Sequence, residues 1–118
     1  MDSADADVRT ALAEDPETPS CVLRVLAADS NINVRLAVAS NSAATWPVLK
    51  TLVEADEEDW DVLELVALHG AITERIARYI AHVGSYRVLE NLRDNDKLSP
   101  RFRGRVERLL RQVLVWED

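Results

Sequence analysis

Val34-Arg35-Leu36-Ala37-Val38-Ala39-Ser40-Asn41, continued through Thr45 and Val48-Leu49 to Leu52, decides the fold, because its pattern stands on both sides of it. Twenty-six positions earlier it falls on Val8-Arg9-Thr10-Ala11-Leu12-Ala13-Glu14-Asp15, with Val22, Leu23 and Leu26 in the places of Val48, Leu49 and Leu52. Twenty-eight positions later it meets Val62, Leu65, Val66, Ala67, Thr73, Ile76 and Ile80. Within each copy the apolar positions recur three and four apart, the spacing of one helix face, and no stretch alternates as a half-buried strand would. A period of this length marks stacked supersecondary units, none able to bury its apolar side alone.

Turn chemistry divides the copies into helices. Asp7 is expected to cap a short helix from Val8 to Glu14, which Asp15-Pro16-Glu17-Thr18-Pro19 ends. Thr18 is then expected as the N-cap of a helix to about Ala28, with Pro19 at the first helical position, where its missing N–H costs nothing. Asn31 or Asn33 starts the next helix, ending near Ser40-Asn41, and Thr45 caps one through Ala55. Glu57-Glu58-Asp59 accounts for the longer second period and falls in a loop between units. Helices follow from Trp60 to Leu68, stopped at His69-Gly70, and from Thr73 to Val83, closed by Gly84.

Ser85 to Arg93 forms a shorter helix, and Ser99-Pro100 opens a final one reaching Val115. That last helix, with Phe102, Val106, Leu109, Leu110 and Val113 apolar and five arginines elsewhere, fits the repeat poorly and is expected to cover the open face of the last unit. The expectation is one all-α domain over residues 1–118, a short α-solenoid of about three helix-pair repeats at 8–29, 34–55 and 62–83, with a C-terminal capping helix in 85–116.

Val34, Arg35, Val38, Ala39, Asn41, Val48, Leu49 and Leu52 together resemble the leucine-rich repeat variant family. So do Val8, Arg9, Leu12, Ala13, Asp15, Pro16, Thr18, Pro19, Val22, Leu23 and Leu26. The resemblance extends over residues 8–81, weakening in the third copy, where Leu63 replaces the arginine and His69 the asparagine. It implies a right-handed all-α solenoid related in architecture to HEAT and armadillo repeats. An iron–sulfur cluster, known in a related family member, needs several cysteines, and Cys21 stands alone.

Composition narrows the function classes. A hydrophobic fraction of 47% with 30% charged residues is that of an ordinary soluble domain, and no apolar run approaches the roughly 18 residues of a membrane span. The acidic start Met1-Asp2-Ser3-Ala4-Asp5-Ala6-Asp7 is unlike a secretory signal, and the single cysteine agrees with a reducing compartment, so the expected location is cytoplasmic. Residues 1–64 hold 14 acids and 4 bases, residues 65–118 hold 7 acids and 10 bases, and the ends of the chain therefore differ in sign.

Sites of known chemical pattern are not evident. His69 and His82 have no metal-binding spacing, and Gly70, Gly84 and Gly104 are too scattered for a phosphate loop. No serine sits in a nucleophile-elbow setting. The acidic run from Glu54 to Asp61 lacks the central glycine of a calcium loop and is expected to be solvated. Cys21, beside Val22 and Leu23, is expected as a partly buried filler. The chain is thus expected to be no enzyme and to carry no cofactor or metal.

Two basic clusters remain. Arg24, Lys50 and Arg78 follow the apolar pair in each longer helix, so stacking would align them into a positive ladder for an acidic peptide or protein partner. Arg101, Arg105 and Arg108 share a face of the last helix, flanked by Arg103 and Arg111, and offer an alternative nucleic-acid surface. Trp46 and Trp60 are expected to pack at helix-pair ends, and Trp116 to be exposed and able to mediate self-association. The function expected is a non-catalytic protein-binding module, monomeric or a weak homodimer, with nucleic-acid association as the alternative.

Overall fold

Asn31 shows how the sequence starts its helices: its side chain accepts from the Asn33 N–H at 2.8 Å, and the helix begins at the next residue. In the computed structural model, which describes residues 3–55, 60–83 and 86–117, this is one of eight helices, and there is no strand among the described residues. They are α1 (Ser3–Glu14), α2 (Ser20–Leu26), α3 (Ile32–Ser40), α4 (Trp46–Ala55), α5 (Trp60–Leu68), α6 (Glu74–Val83), α7 (Tyr86–Asp94) and α8 (Pro100–Glu117). Asp56 to Asp59, Gly84 and Ser85 lie outside the described residues, as do the side chains of Val113, Val115 and Trp116.

Two expected caps are corrected. Asp7 lies inside α1, which begins at Ser3. Thr18 does not cap α2: its hydroxyl donates to the Leu12 carbonyl at 2.6 Å and is buried, pinning the turn to the helix before it. Pro19 takes the cap position instead, its carbonyl receiving the Val22 and Leu23 N–H groups. The stop at His69 needs no left-handed glycine, since no described residue has a positive φ.

The helices pack in two rows. α1, α3, α5 and α7 follow one another along one side, and α2, α4 and α6 along the other. Ala13, Ala39 and Ala67, all buried, let the odd-numbered helices approach closely, and these are in more extensive contact than the even-numbered ones. Val34, Val38, Val62, Val66, Val88 and Leu92 face neighbours on that side and are fully buried. Leu49, Leu52 and Ile80 are equally buried from the other row. Helix α8 packs against α7. The molecule measures 47 × 27 × 17 Å, with a radius of gyration of 14.9 Å against about 13.5 Å for a compact domain of this length.

A side-chain ladder ties successive helix pairs together. Asn41 donates from Nδ2 to the carbonyls of Ala13 and Asp15, at 2.9 and 3.0 Å. Asn95 does the same to Ala67 and His69, at 2.8 and 3.1 Å. Between them, His69 accepts the Ala71 N–H at Nδ1, so Nε2 carries the proton and donates to the Asn41 carbonyl at 2.8 Å. Each of Asp15, Asn41, His69 and Asn95 also receives the N–H two residues on, closing the turn locally. All but Asp15 are buried, and their bonds supply donors to the Ala13 and Ala67 carbonyls at helix ends and a second donor to the turn carbonyls of Asp15, Asn41 and His69.

The same positions recur in the last two helices. Val88, Leu92, Asn95, Leu98, Phe102 and Val106 stand 26 positions after Val62, Val66, His69, Ile72, Ile76 and Ile80, and every one is buried. Ser99 repeats Thr73: each side-chain oxygen accepts the N–H three residues later, at 3.2 Å. The spacing and turn bonds of the earlier pairs thus recur in α7 and α8, while α8 packs chiefly against α7. The periodicity is obscured where Arg93 and Arg103 occupy positions held by Ala67 and Ala77. Arg103 Nε is buried with no hydrogen-bond partner among the described residues.

The arginine of the Val-Arg pattern has a structural use. Arg9 holds Asp29 through Nε at 2.6 Å and a second nitrogen at 3.2 Å, while Arg35 donates to the Asp29 backbone carbonyl at 2.6 Å. Two successive units thus grip the loop between α2 and α3. The Arg9 hydrogen bond, assisted by the Asn31 N–H and the nearby positive charges, holds the Asp29 carboxyl below its ordinary value against the opposing effect of burial.

Candidate functional site

Arg24, Lys50 and Arg78 are exposed and lie on α2, α4 and α6, the three helices of one row. Because α2 packs against α4 and α4 against α6, the repeat carries these residues onto neighbouring helices at matching positions. Charge follows the rows and not only the halves of the sequence. Helices α2, α4 and α6 carry four bases and two acids, whereas α1, α3, α5 and α7 carry four bases and seven acids. The row of α2, α4 and α6 is thus net positive and the other row net negative.

Between α4 and α6 the row opens into a groove of about 520 Å³. Trp46, from the first turn of α4, and Tyr79 of α6 line it, together with Lys50, Glu54, Arg75 and Ile76. Ile76 is buried at its base, whereas Trp46 is 53% and Tyr79 44% exposed. Trp46 therefore does not serve packing alone, as expected of it, and Trp60, 44% exposed, does not either. Trp46 and Tyr79 sit at non-equivalent positions of their units, where the other copies place Glu74 and Thr51, so aligning the repeats conceals the pair.

Arg101, Arg105 and Arg108 are exposed and line a separate cavity of about 550 Å³ with Gly104, Glu107 and Arg111. Glu107 also pairs with Arg111 at 3.6 Å, reducing the free positive charge there. Glu74 links the two basic groups. Its carboxyl receives the Ser99 N–H at 3.3 Å, and hydrogen bonding by Ser99 holds it below its ordinary value, with Arg78 and Arg105 acting in the same direction. An ionised Glu74 thus stands beside both Arg78 and Arg105 and lowers the positive potential at that end of the row.

Comparison with known protein families, characterised proteins and solved structures finds no match. Among the described residues no three His, Cys, Asp or Glu side chains group as a metal site, and no helix is long and apolar enough to cross a membrane. Cys21 is exposed, not the partly buried filler expected from its apolar neighbours. It lies on the outer side of α2, where Leu23 and Leu26 take the buried face.

Proposed function

We propose that the chain is a non-catalytic helical-repeat interaction module. In this reading it is a right-handed α-solenoid similar to leucine-rich repeat variant proteins, and the face formed by α2, α4 and α6 binds an acidic segment of a protein partner. The observation that carries it is the placement of Arg24, Lys50 and Arg78 on three successively packed helices, with an aromatic-lined groove beside Lys50. Electrostatic complementarity along such a row steers encounter, while a central apolar contact supplies most of the affinity. Four stacked helix pairs, not three and a cap, form the solenoid in this proposal, because Asn95 repeats the bonds of Asn41.

The alternative is nucleic-acid association through Arg101, Arg105 and Arg108, favoured by their joint lining of one cavity. Its weakness is the ion pair between Glu107 and Arg111 within the same patch. Affinity capture with the intact chain, with and without nuclease, separates the two. The proposal expects protein partners that survive nuclease treatment and are lost from a variant with Arg24→Glu and Lys50→Glu. Partners lost only on nuclease treatment, and retained by that variant, overturn it.

A further inference from the structure

The groove between α4 and α6 adds to the row of charges a place where a side chain can be buried. Trp46 and Tyr79 present large aromatic surfaces at its sides, Ile76 closes the base, and Lys50, Arg75 and Glu54 supply the charges of its lining. Its volume of about 520 Å³ lies within the range of pockets that enclose small ligands. Aromatic walls over an apolar base favour a bulky apolar group, because the rings desolvate it over a wide area with few torsions of their own to fix.

Charge decides what carries that group. A tryptophan and a tyrosine near a carboxylate also suit a methylated ammonium. Here, however, two of the three charged lining residues are cations, and Arg24 and Arg78 on the same row add positive potential. An ammonium entering the groove is repelled by Lys50 and Arg75. A segment bearing carboxylates is attracted to both.

We infer that this groove is an anchor pocket for one leucine-sized aliphatic side chain of an acidic, extended peptide, with flanking carboxylates set against Lys50 and Arg75. The inference rests on the reading of α2, α4 and α6 as a partner-binding face and names the partner chemistry that face selects. The leucine-sized group supplies the desolvated contact, and the carboxylates fix its position along the row.

The test uses the full chain and dye-labelled synthetic peptides followed by fluorescence anisotropy at low ionic strength. One peptide carries a leucine flanked on both sides by glutamates, a second has glycine for the leucine, and a third has lysines for the glutamates. The leucine–glutamate peptide is expected to bind, and each of the others to bind about tenfold more weakly or worse. Trp46→Ala and Tyr79→Ala, each checked for unchanged helical circular dichroism, are expected to bring its affinity down to that of the glycine peptide.

Equal binding of the leucine and glycine peptides to the unaltered chain overturns the anchor pocket and leaves the charged face standing. Tighter binding of the lysine peptide overturns both the charge assignment and the face. No binding of any peptide overturns both likewise. The comparison of peptides on unaltered protein does not depend on any variant folding.

Discussion

Asn41 donates from Nδ2 to the carbonyl of Asp15 at 3.0 Å, across the boundary between the first two helix pairs. The same side chain bonds to Ala13 and receives the Ala43 N–H, so one buried amide closes its own turn and ties it to the unit before. Replacing it strands the Ala13 carbonyl and the Ala43 amide at once and takes from the Asp15 carbonyl the second of its two donors, the Thr18 N–H being the other. Asn41→Ala and Asn95→Ala are each expected to lower stability by about 2–4 kcal/mol, and Asp15→Ala, exposed with only its own turn to close, by under about 1 kcal/mol. Urea denaturation of the three variants measures this, and equal losses would deny the ladder its role.

Val8 and Val62 hold equivalent places in their units, yet Val8 is 62% exposed and Val62 is fully buried. The difference follows from stacking: α5, which carries Val62, packs between α3 and α7, whereas α1 has α3 on one side only. Val62→Ala is expected to cost about 2–3 kcal/mol and Val8→Ala under about 0.5 kcal/mol, read from denaturation midpoints at constant slope.

Arg103 stands where Leu23, Leu49 and Ala77 are fully buried, and its Nε is buried without a partner among the described residues. Supplying an apolar side chain there removes a desolvation cost and fills the slot. Arg103→Leu is expected to stabilise the chain by about 1 kcal/mol, measured by thermal or chemical unfolding. Destabilisation by a similar amount would mean that the guanidinium is well satisfied.

Asp29 contributes stability with a definite pH dependence. Its folded-state value lies below the unfolded reference of 3.8, so the contribution is fully present above that reference and disappears as pH falls through the lower, folded value. Asp29→Asn is expected to cost about 1–2 kcal/mol at neutral pH, and the gap to the parent to close on acidification below about pH 3.8. Unfolding curves taken from neutral to acid pH check it; a gap that persists at low pH contradicts the ion-pair account.

Much of this was legible in the residues. The recurrence of Val34, Val38 and Asn41 at Val8, Leu12 and Asp15 located paired helices, and the boundaries of α4, α5 and α6 fall within a residue of those expected from Thr45, Trp60 and Thr73. The recurrence of the spacing in α7 and α8 was masked because Arg93 and Arg103 interrupt its apolar pattern, while Asn95, the better marker, lies between Asp94 and Asp96 in a polar stretch. Summing charge over sequence halves also hid its sorting, since consecutive helices alternate between rows. The groove was least accessible. Trp46 and Tyr79 come together only because two different positions of two different units meet between packed helices.

Glu74 gives the proposed face a graded control. Held ionised by Ser99, it stands near Arg78 and Arg105 and opposes an acidic partner. Glu74→Gln is expected to tighten binding of an acidic peptide by about two- to fivefold at low salt, with the gain fading as ionic strength rises. Weaker binding, or a gain unaffected by salt, would contradict the electrostatic account.

Partners are expected to meet the row formed by α2, α4 and α6. Backbone amide chemical-shift mapping of the full chain during titration with the leucine–glutamate peptide tests this most directly. Shifts concentrated around Arg24, Trp46, Lys50, Arg75 and Tyr79 are the predicted result. Shifts concentrated on α1, α3 and α5, or confined to Arg101, Arg105 and Arg108 of α8, would contradict it.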